Sequence, residues 1–225
     1  MKFHSIAIDG PSGAGKSTLA RRLASKLGFL YVDTGAIYRT VALNAQRQGV
    51  DPACKESVIP LLEHLEIRMA YGEDGLQHMF LGEEDVTEAI RVHAVSQCAS
   101  LVAAIPEVRS FLLDYQRKLA RENDVVMDGR DIGTVVLPDA DVKLFLTASA
   151  EIRARRRLLE LEQRGQQADF STILHDIEQR DEQDRNREIA PLRQAEDAVL
   201  LDTSEMDLEE SLEAMLDITR GRLAL

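Results

Sequence analysis

The chain opens on an apolar run, FHSIAI at residues 3–8, that breaks at Asp9 and Gly10. This pattern predicts a short buried strand followed by a loop over 10–15. KSTLARRLASKL (16–27) then reads as a helix of about three turns, stopped by Gly28. FLYVD (29–33) predicts a second strand ending in Asp33, and AIYRTVALNAQRQ carries Ile37, Val41 and Ala45 at helical spacing. SVIPLLEHL is expected to be helical, with Pro60 a local irregularity. EAIRVHAVSQCASLVAAI and PEVRSFLLDYQRKLAREN predict two helices, with Pro106 in a first-turn position. DVVMDG (124–129) and VKLFLTA (142–148) read as buried strands. A long, Arg-rich, mostly polar helical stretch is expected over roughly 149–188. AVLLDTS (198–204) predicts a last strand, and DLEESLEAMLDITRGRL an amphipathic closing helix.

Residues 65–87 break this β-then-α rhythm. LEIRMAYGEDGLQHMFLGEEDVT has two extended runs around GEDG and then a third short one, a β-hairpin with an added strand, and reads as an insertion. The remainder predicts an α/β fold, a five-stranded mainly parallel sheet flanked by helices. Ligands in such folds bind beyond the carboxyl ends of the strands, where Asp9, Asp33 and Asp128 all fall.

The length of 225 residues suits one domain with inserted subdomains. No apolar run approaches 18 residues, so no membrane span is expected. MKFHSIAIDG enters a strand at once and leaves no room for a signal peptide, which points to the cytoplasm. Cys54 and Cys98 lie far apart without metal-ligand spacing and read as buried thiols, although spacing alone leaves a disulfide open. The net charge of −12 argues against a nonspecific nucleic-acid binder. The cations themselves are 21 Arg against 6 Lys, and Arg offers a planar fork of donors that fits phosphate oxygens.

Residues 10–18, GPSGAGKST, fit G-x-x-x-x-G-K-[ST] at Gly10, Gly15, Lys16 and Ser17. Glycines let the backbone wrap so that successive N–H groups face an anion, and the helix that follows adds its positive end. In this pattern Gly10, Pro11, Ser12, Gly13, Ala14, Gly15, Lys16, Ser17 and Thr18 form an ATP cradle. Lys16 would reach the β- and γ-phosphates and Ser17 would ligate Mg²⁺. Asp128 ends a buried strand, so it either serves the metal through water or caps the next turn.

A guanine-reading N-K-x-D is absent, and a motor would need more chain. Arg153, Arg156 and Arg157 fall on one predicted helix. Arg180 and Arg187 lie seven apart, with Asp184 on the side of Arg180. Two readings fit: a solvated helix of Glu–Arg pairs, or arginines on a lid that neutralise charge developing in phosphoryl transfer while excluding water. With the loop present, the second makes Lys16, Arg130, Arg153, Arg157 and Arg180 the candidate catalytic set. The five histidines are scattered and read as structural, and Tyr38 reads as packing. A kinase acting on an existing phosphate needs no general base, because a phosphate monoester with a second pKa of about 6 is already a dianion. It needs further arginines instead, and Arg39, Arg109 and Arg130 supply them.

DTGAIYR (33–39) and DGRDIGTVV (128–136) resemble signatures of the bacterial cytidylate kinases. With IDGPSGAGKST, RDEQDRNR (180–187) and APL (190–192), the resemblance runs from about residue 5 to the C-terminus. Thr34 stands where that family often has Ser, which keeps the hydroxyl and adds a methyl. The resemblance implies a P-loop fold in which a single domain, 1–225, contains a monophosphate-binding insertion over 36–105 and an Arg-rich lid over 153–188. It implies transfer from ATP to CMP or dCMP; with the Mg²⁺ expected from the loop, the chain is expected to be a cytoplasmic monomer that binds neither nucleic acid nor membrane. By motif position, Thr34, Arg39 and Arg130 would hold the acceptor phosphate. Ser100, Arg109 and Asp131 would read the base with Arg187 near, and Arg180 and Asp184 would touch the sugar. A carboxylate accepts from the cytosine amino group, whereas uracil would turn a carbonyl toward it. A uridylate-, adenylate- or shikimate-type kinase is the nearest alternative. A nucleotide-binding regulatory module and an Arg-dependent RNA binder are the others.

Overall fold

The computed structural model describes residues 3–72, 75–163 and 165–223. The two central residues of the GEDG turn, Arg164 in the expected lid and the side chain of His93 lie outside that description. In chain order the elements are β1 (Ser5–Asp9), α1 (Lys16–Leu27), β2 (Leu30–Asp33), α2 (Thr34–Arg47), α3 (Lys55–Leu62), β3 (Ile67–Tyr71), β4 (Gln77–Leu81) and β5 (Glu84–Asp85). They continue as α4 (His93–Val102), α5 (Pro106–Glu122), β6 (Val125–Gly129), β7 (Val142–Thr147), α6 (Ala150–Gln163), α7 (Phe170–Asn186), β8 (Val199–Asp202) and α8 (Leu208–Leu223). The chain divides into two compact units. One comprises the chain up to Tyr31 and from Glu122 onward, the other Val32–Arg121.

The first unit is built on the five-stranded sheet, in the order β2-β6-β1-β7-β8. β1 runs parallel to β6 and β7, and β7 parallel to β8. The inner strands are continuous apolar runs because helices cover both faces of a parallel sheet. Ile6, Ile8, Val126, Leu144 and Leu146 pack with Leu19, Leu23, Met215 and Leu216 of α1 and α8 in one buried cluster. The register sets Asp9 opposite Gly129 and Phe145, so the carboxyl ends of β1, β6 and β7 lie level.

The predicted helix over 149–188 is interrupted. α6 ends at Gln163, Gly165 takes a left-handed φ of 72°, and α7 restarts behind Asp169, whose carboxylate accepts from Thr172 N at 2.9 Å. The intervening residues are polar apart from Gly165 and Ala168, so no apolar stripe carries a helix through them. α6 and α7 share their own small core of Ala154, Ile173 and Ile177, with Leu158, Phe170 and Leu174 against it. After β6 a single π-helical turn, Ile132–Val136, stands where no element was expected.

In the second unit β3, β4 and β5 form a three-stranded antiparallel sheet, as the insertion pattern predicts. Arg47 at the end of α2 pairs with both carboxylate oxygens of Glu84 on β5 at 2.7 and 2.8 Å. The helix expected from residue 88 is delayed. A 3₁₀ turn at Ala89–Arg91 and an extended Val92 precede α4, which packs against α2. Cys54 and Cys98 are unbridged and half-buried rather than buried, because both sit near the ends or outer faces of short elements.

Candidate active site

The loop after β1 has the backbone its glycines allow. Gly10, Gly13 and Gly15 have φ of 149°, 76° and 85°. A Cβ on Gly10 would lie 1.9 Å from the Leu146 carbonyl oxygen, so no other residue fits beside β7. α1 begins at Lys16, which is 5% exposed and donates from Nζ to the Pro11 carbonyl at 2.8 Å. Burial, helped by neighbouring Arg130, pulls its pKa down to about 7. Ser17 Oγ donates to Asp128 Oδ2 at 2.9 Å, and Tyr31 Oη donates to Asp128 Oδ1 at 2.9 Å. A hydroxyl beside an oriented carboxylate is an all-oxygen donor set of the kind Mg²⁺ takes. Ala14 is buried under the loop, while Ser17 and Thr18 face outward.

Beyond β6, Arg130 Nε donates to the buried carboxylate of Asp184 on α7 at 2.7 Å. Arg187, just past α7, lies 3.5 Å from Asp131 and 4.0 Å from Asp184. Burial alone would raise the Asp184 pKa, but Arg130, Arg180 and Arg187 hold it below the usual carboxylate range. Four residues assigned by resemblance to the acceptor, Arg130, Asp131, Asp184 and Arg187, therefore form one charge network, and half-buried Arg180 adds to its field. Its end is closed by the APL segment. Arg187 Nε donates to the Ala190 carbonyl, and Leu192 N donates to the Asp184 carbonyl at 2.7 Å. Ala190 reaches this position at φ 49°, a left-handed backbone uncommon for a residue with a Cβ.

Asp9 lies beneath that network. Its two carboxylate oxygens accept from Ile132 N and Gly133 N, each at 2.7 Å, and so cap the π-helical turn behind Asp131. Burial pushes its pKa up to about 7, against the two amide donors. On α6, Arg157 pairs with Glu160 at 2.8 Å on the partly exposed face. Arg153 points the other way. Its guanidinium is bound to the Ser12 and Ala148 carbonyls and to Asp181. Arg156 is bound to Thr203.

The second unit carries Thr34, Arg39, Ser100 and Arg109. Asp33 caps α2 by accepting from Ala36 N at 2.9 Å and pairs with Arg39 at 2.8 Å. Gly35 leaves room for that pair, since a Cβ there would lie 2.9 Å from Arg39 Nη1. Buried Thr34 stands in the same first turn. Half-buried Ser100 is on α4. Arg109, on α5, donates to the Ala103 carbonyl at 3.3 Å and lies over the Tyr38 ring, 5.7 Å from its centroid. Gln77 of β4 pairs with the Asp33 peptide: its Oε1 accepts from Asp33 N at 2.7 Å and its Nε2 donates to Asp33 O at 3.2 Å.

The family model described as cytidylate kinase matches residues 6–221. The chain belongs to the cytidylate kinase family. The cytidylate kinase of Caldicellulosiruptor bescii is 48% identical over 218 residues, covering 97% of this chain and 96% of that protein. That of Carboxydothermus hydrogenoformans is 49% identical over 213 residues, covering 95% and 96%. An uncharacterized protein from Eubacterium ventriosum shares the fold at a TM-score of 0.51 and 13% identity, with 95% of this chain and 96% of that one covered.

Motif reading passes over several residues that hold the motif residues in place within each unit. Tyr31 orients Asp128, Asp9 caps the turn after Asp131, Gln77 holds Asp33, and Asp181 holds Arg153. The position of Asp9 at a strand end was a visible signal. Gln77 and Asp181 had none, because their partners are 44 and 28 residues away in sequence.

Proposed function

We propose that this chain is a phosphotransferase that moves the γ-phosphoryl group of ATP to CMP or dCMP, releasing ADP and CDP or dCDP. The observation that carries the substrate class is the family match across residues 6–221. The geometry supports a mechanism of positioning and charge neutralisation. The loop Gly10–Thr18 binds the triphosphate, and Lys16 leaves the Pro11 carbonyl to reach the β- and γ-oxygens. Ser17, with Asp128 through water, would hold Mg²⁺, which supplies charge neutralisation on the phosphate oxygens when bound. Thr34, Arg39 and Arg130 hold the acceptor phosphate, which is ionised near neutral pH and needs no base. Ser100, Arg109 and Asp131 read cytosine, Arg187 holds Asp131, and Arg180 and Asp184 meet the sugar. Arg130, Arg157 and Arg180 neutralise charge as the phosphoryl group passes.

This reading includes a cytoplasmic monomer with small-molecule substrates. Among the described residues no helix is long and apolar enough to cross a membrane. An ADP-release assay with CMP, dCMP, UMP, AMP and shikimate as acceptors tests the proposal. CMP and dCMP should be used at least ten times better than UMP, since an unpaired buried polar group costs about 1–3 kcal/mol. Turnover independent of acceptor, or best with AMP or shikimate, would refute it.

A further inference from the structure

The position of Arg153 on the lid helix suits a cation aimed at the transferred phosphoryl group, yet its side chain is directed to the outside of the phosphate loop. It is 3% exposed. Nη1 donates to the Ser12 carbonyl at 2.8 Å and Nε to the Ala148 carbonyl at 2.9 Å. Nη1 and Nη2 reach the two carboxylate oxygens of Asp181 at 3.2 and 2.6 Å, and Asp181 is 4% exposed. The Arg153 stem packs on the loop as well, since a Cβ on Gly13 would lie 3.2 Å from Arg153 Cβ.

A loop that turns its amides toward an anion turns carbonyls outward, and an outward carbonyl in a buried place needs a donor. The peptide joining Ser12 to Gly13 is planar and trans, so the Gly13 N–H points away from the carbonyl that Arg153 holds. A cation on that carbonyl fixes the peptide plane and polarises it, making the opposite N–H a stronger donor. Lys16 on the Pro11 carbonyl treats the preceding peptide in the same way.

We propose that Arg153 is a positioning residue for the triphosphate loop, acting through the Ser12–Gly13 peptide, and that Asp181 is the buried counter-ion that orients its fork. The proposal rests on the reading of Gly10–Thr18 as the triphosphate cradle. It makes Arg153 distinct in role from Arg157, one turn along α6, whose guanidinium turns to Glu160 instead. It also links the loop to α7, the helix that bears Arg180 and Asp184, through one ion pair.

The test measures ATP and ADP dissociation constants, kcat, both KM values and thermal melting for wild type, R153K, R153M, D181N and R153M/D181N. R153M should weaken ATP and ADP alike, by about tenfold, with the CMP KM within about twofold of wild type. R153K should lie between, since an ammonium cannot serve two carbonyls and a carboxylate in one plane. R153M leaves buried Asp181 with only Arg185, 4.0 Å away, and should melt early. The double variant should regain melting temperature without regaining nucleotide affinity. Wild-type ATP affinity with a collapsed kcat in R153M would overturn the proposal and place Arg153 on the reacting phosphoryl group. Affinity that returns with stability in the double variant would reduce Arg153 to packing. Absence of ATP and ADP binding by the wild-type chain would instead refute the reading of the loop.

Discussion

Lys16 shows how a side chain's surroundings set its chemistry. It is a nearly buried ammonium, parked on a carbonyl, with its pKa pulled down to about 7. K16A should fold normally, because the site gives up a charge that burial disfavours. Transfer should fall by at least ~10²–10³-fold, the size expected for removing one preorganised group that meets developing charge. Steady-state kinetics with a melting control checks this, and retained turnover would remove Lys16 from the mechanism. Asp131 makes a second case. Its pair with Arg187 can be read as simple charge balance, but both belong to a network shared with Asp184 and Arg130. D131A should raise the CMP KM by about 10- to 100-fold while leaving the ATP dissociation constant within about threefold. Equal losses for both nucleotides would mean that Asp131 supports the network and not the base. Lys16 and Asp131 can be singled out in the sequence because they stand at motif spacing. Side-chain direction is not legible there. Arg153 and Arg157 are four apart on one helix, yet one turns to the Ser12 carbonyl and the other to Glu160, and only the packing of α7 decides that.

At the level of elements, the three-stranded sheet gains a task that its own residues do not announce. β4 places the Gln77 amide on both polar groups of the Asp33 peptide, and Asp33 in turn caps α2 and steers Arg39. Q77A should destabilise the chain by about 1–3 kcal/mol through the unpaired peptide groups. It should also raise the CMP KM about tenfold without changing ATP binding, measured by denaturant unfolding and by titration. A loss of stability with unchanged CMP affinity would make Gln77 a strut only. The strands, α1, α5 and α8 follow directly from apolar periodicity, since each buries one face or both. The missed boundaries lie where no apolar stripe exists. The segment between α6 and α7 offers no apolar residue larger than Ala168, so Gly165 and the Asp169 cap decide where one helix stops and the next starts. The π-helical turn depends on Asp9, more than 120 residues away.

At the scale of the molecule, the five-stranded sheet ends at β8, a strand of four residues paired on one side with β7. Leu200 in the middle of that strand is 54% exposed. An open sheet margin with an apolar side chain is a template on which a second chain can add its own strand. The short margin limits the length of any such addition, and Asp202 at its end places a charge where stacking would begin. The enzyme should therefore tolerate ordinary concentrations yet lose solubility first at this margin when crowded or warmed. L200K should raise the concentration at which light scattering sets in while leaving kcat unchanged. An unchanged onset would mean that self-association begins elsewhere on the surface.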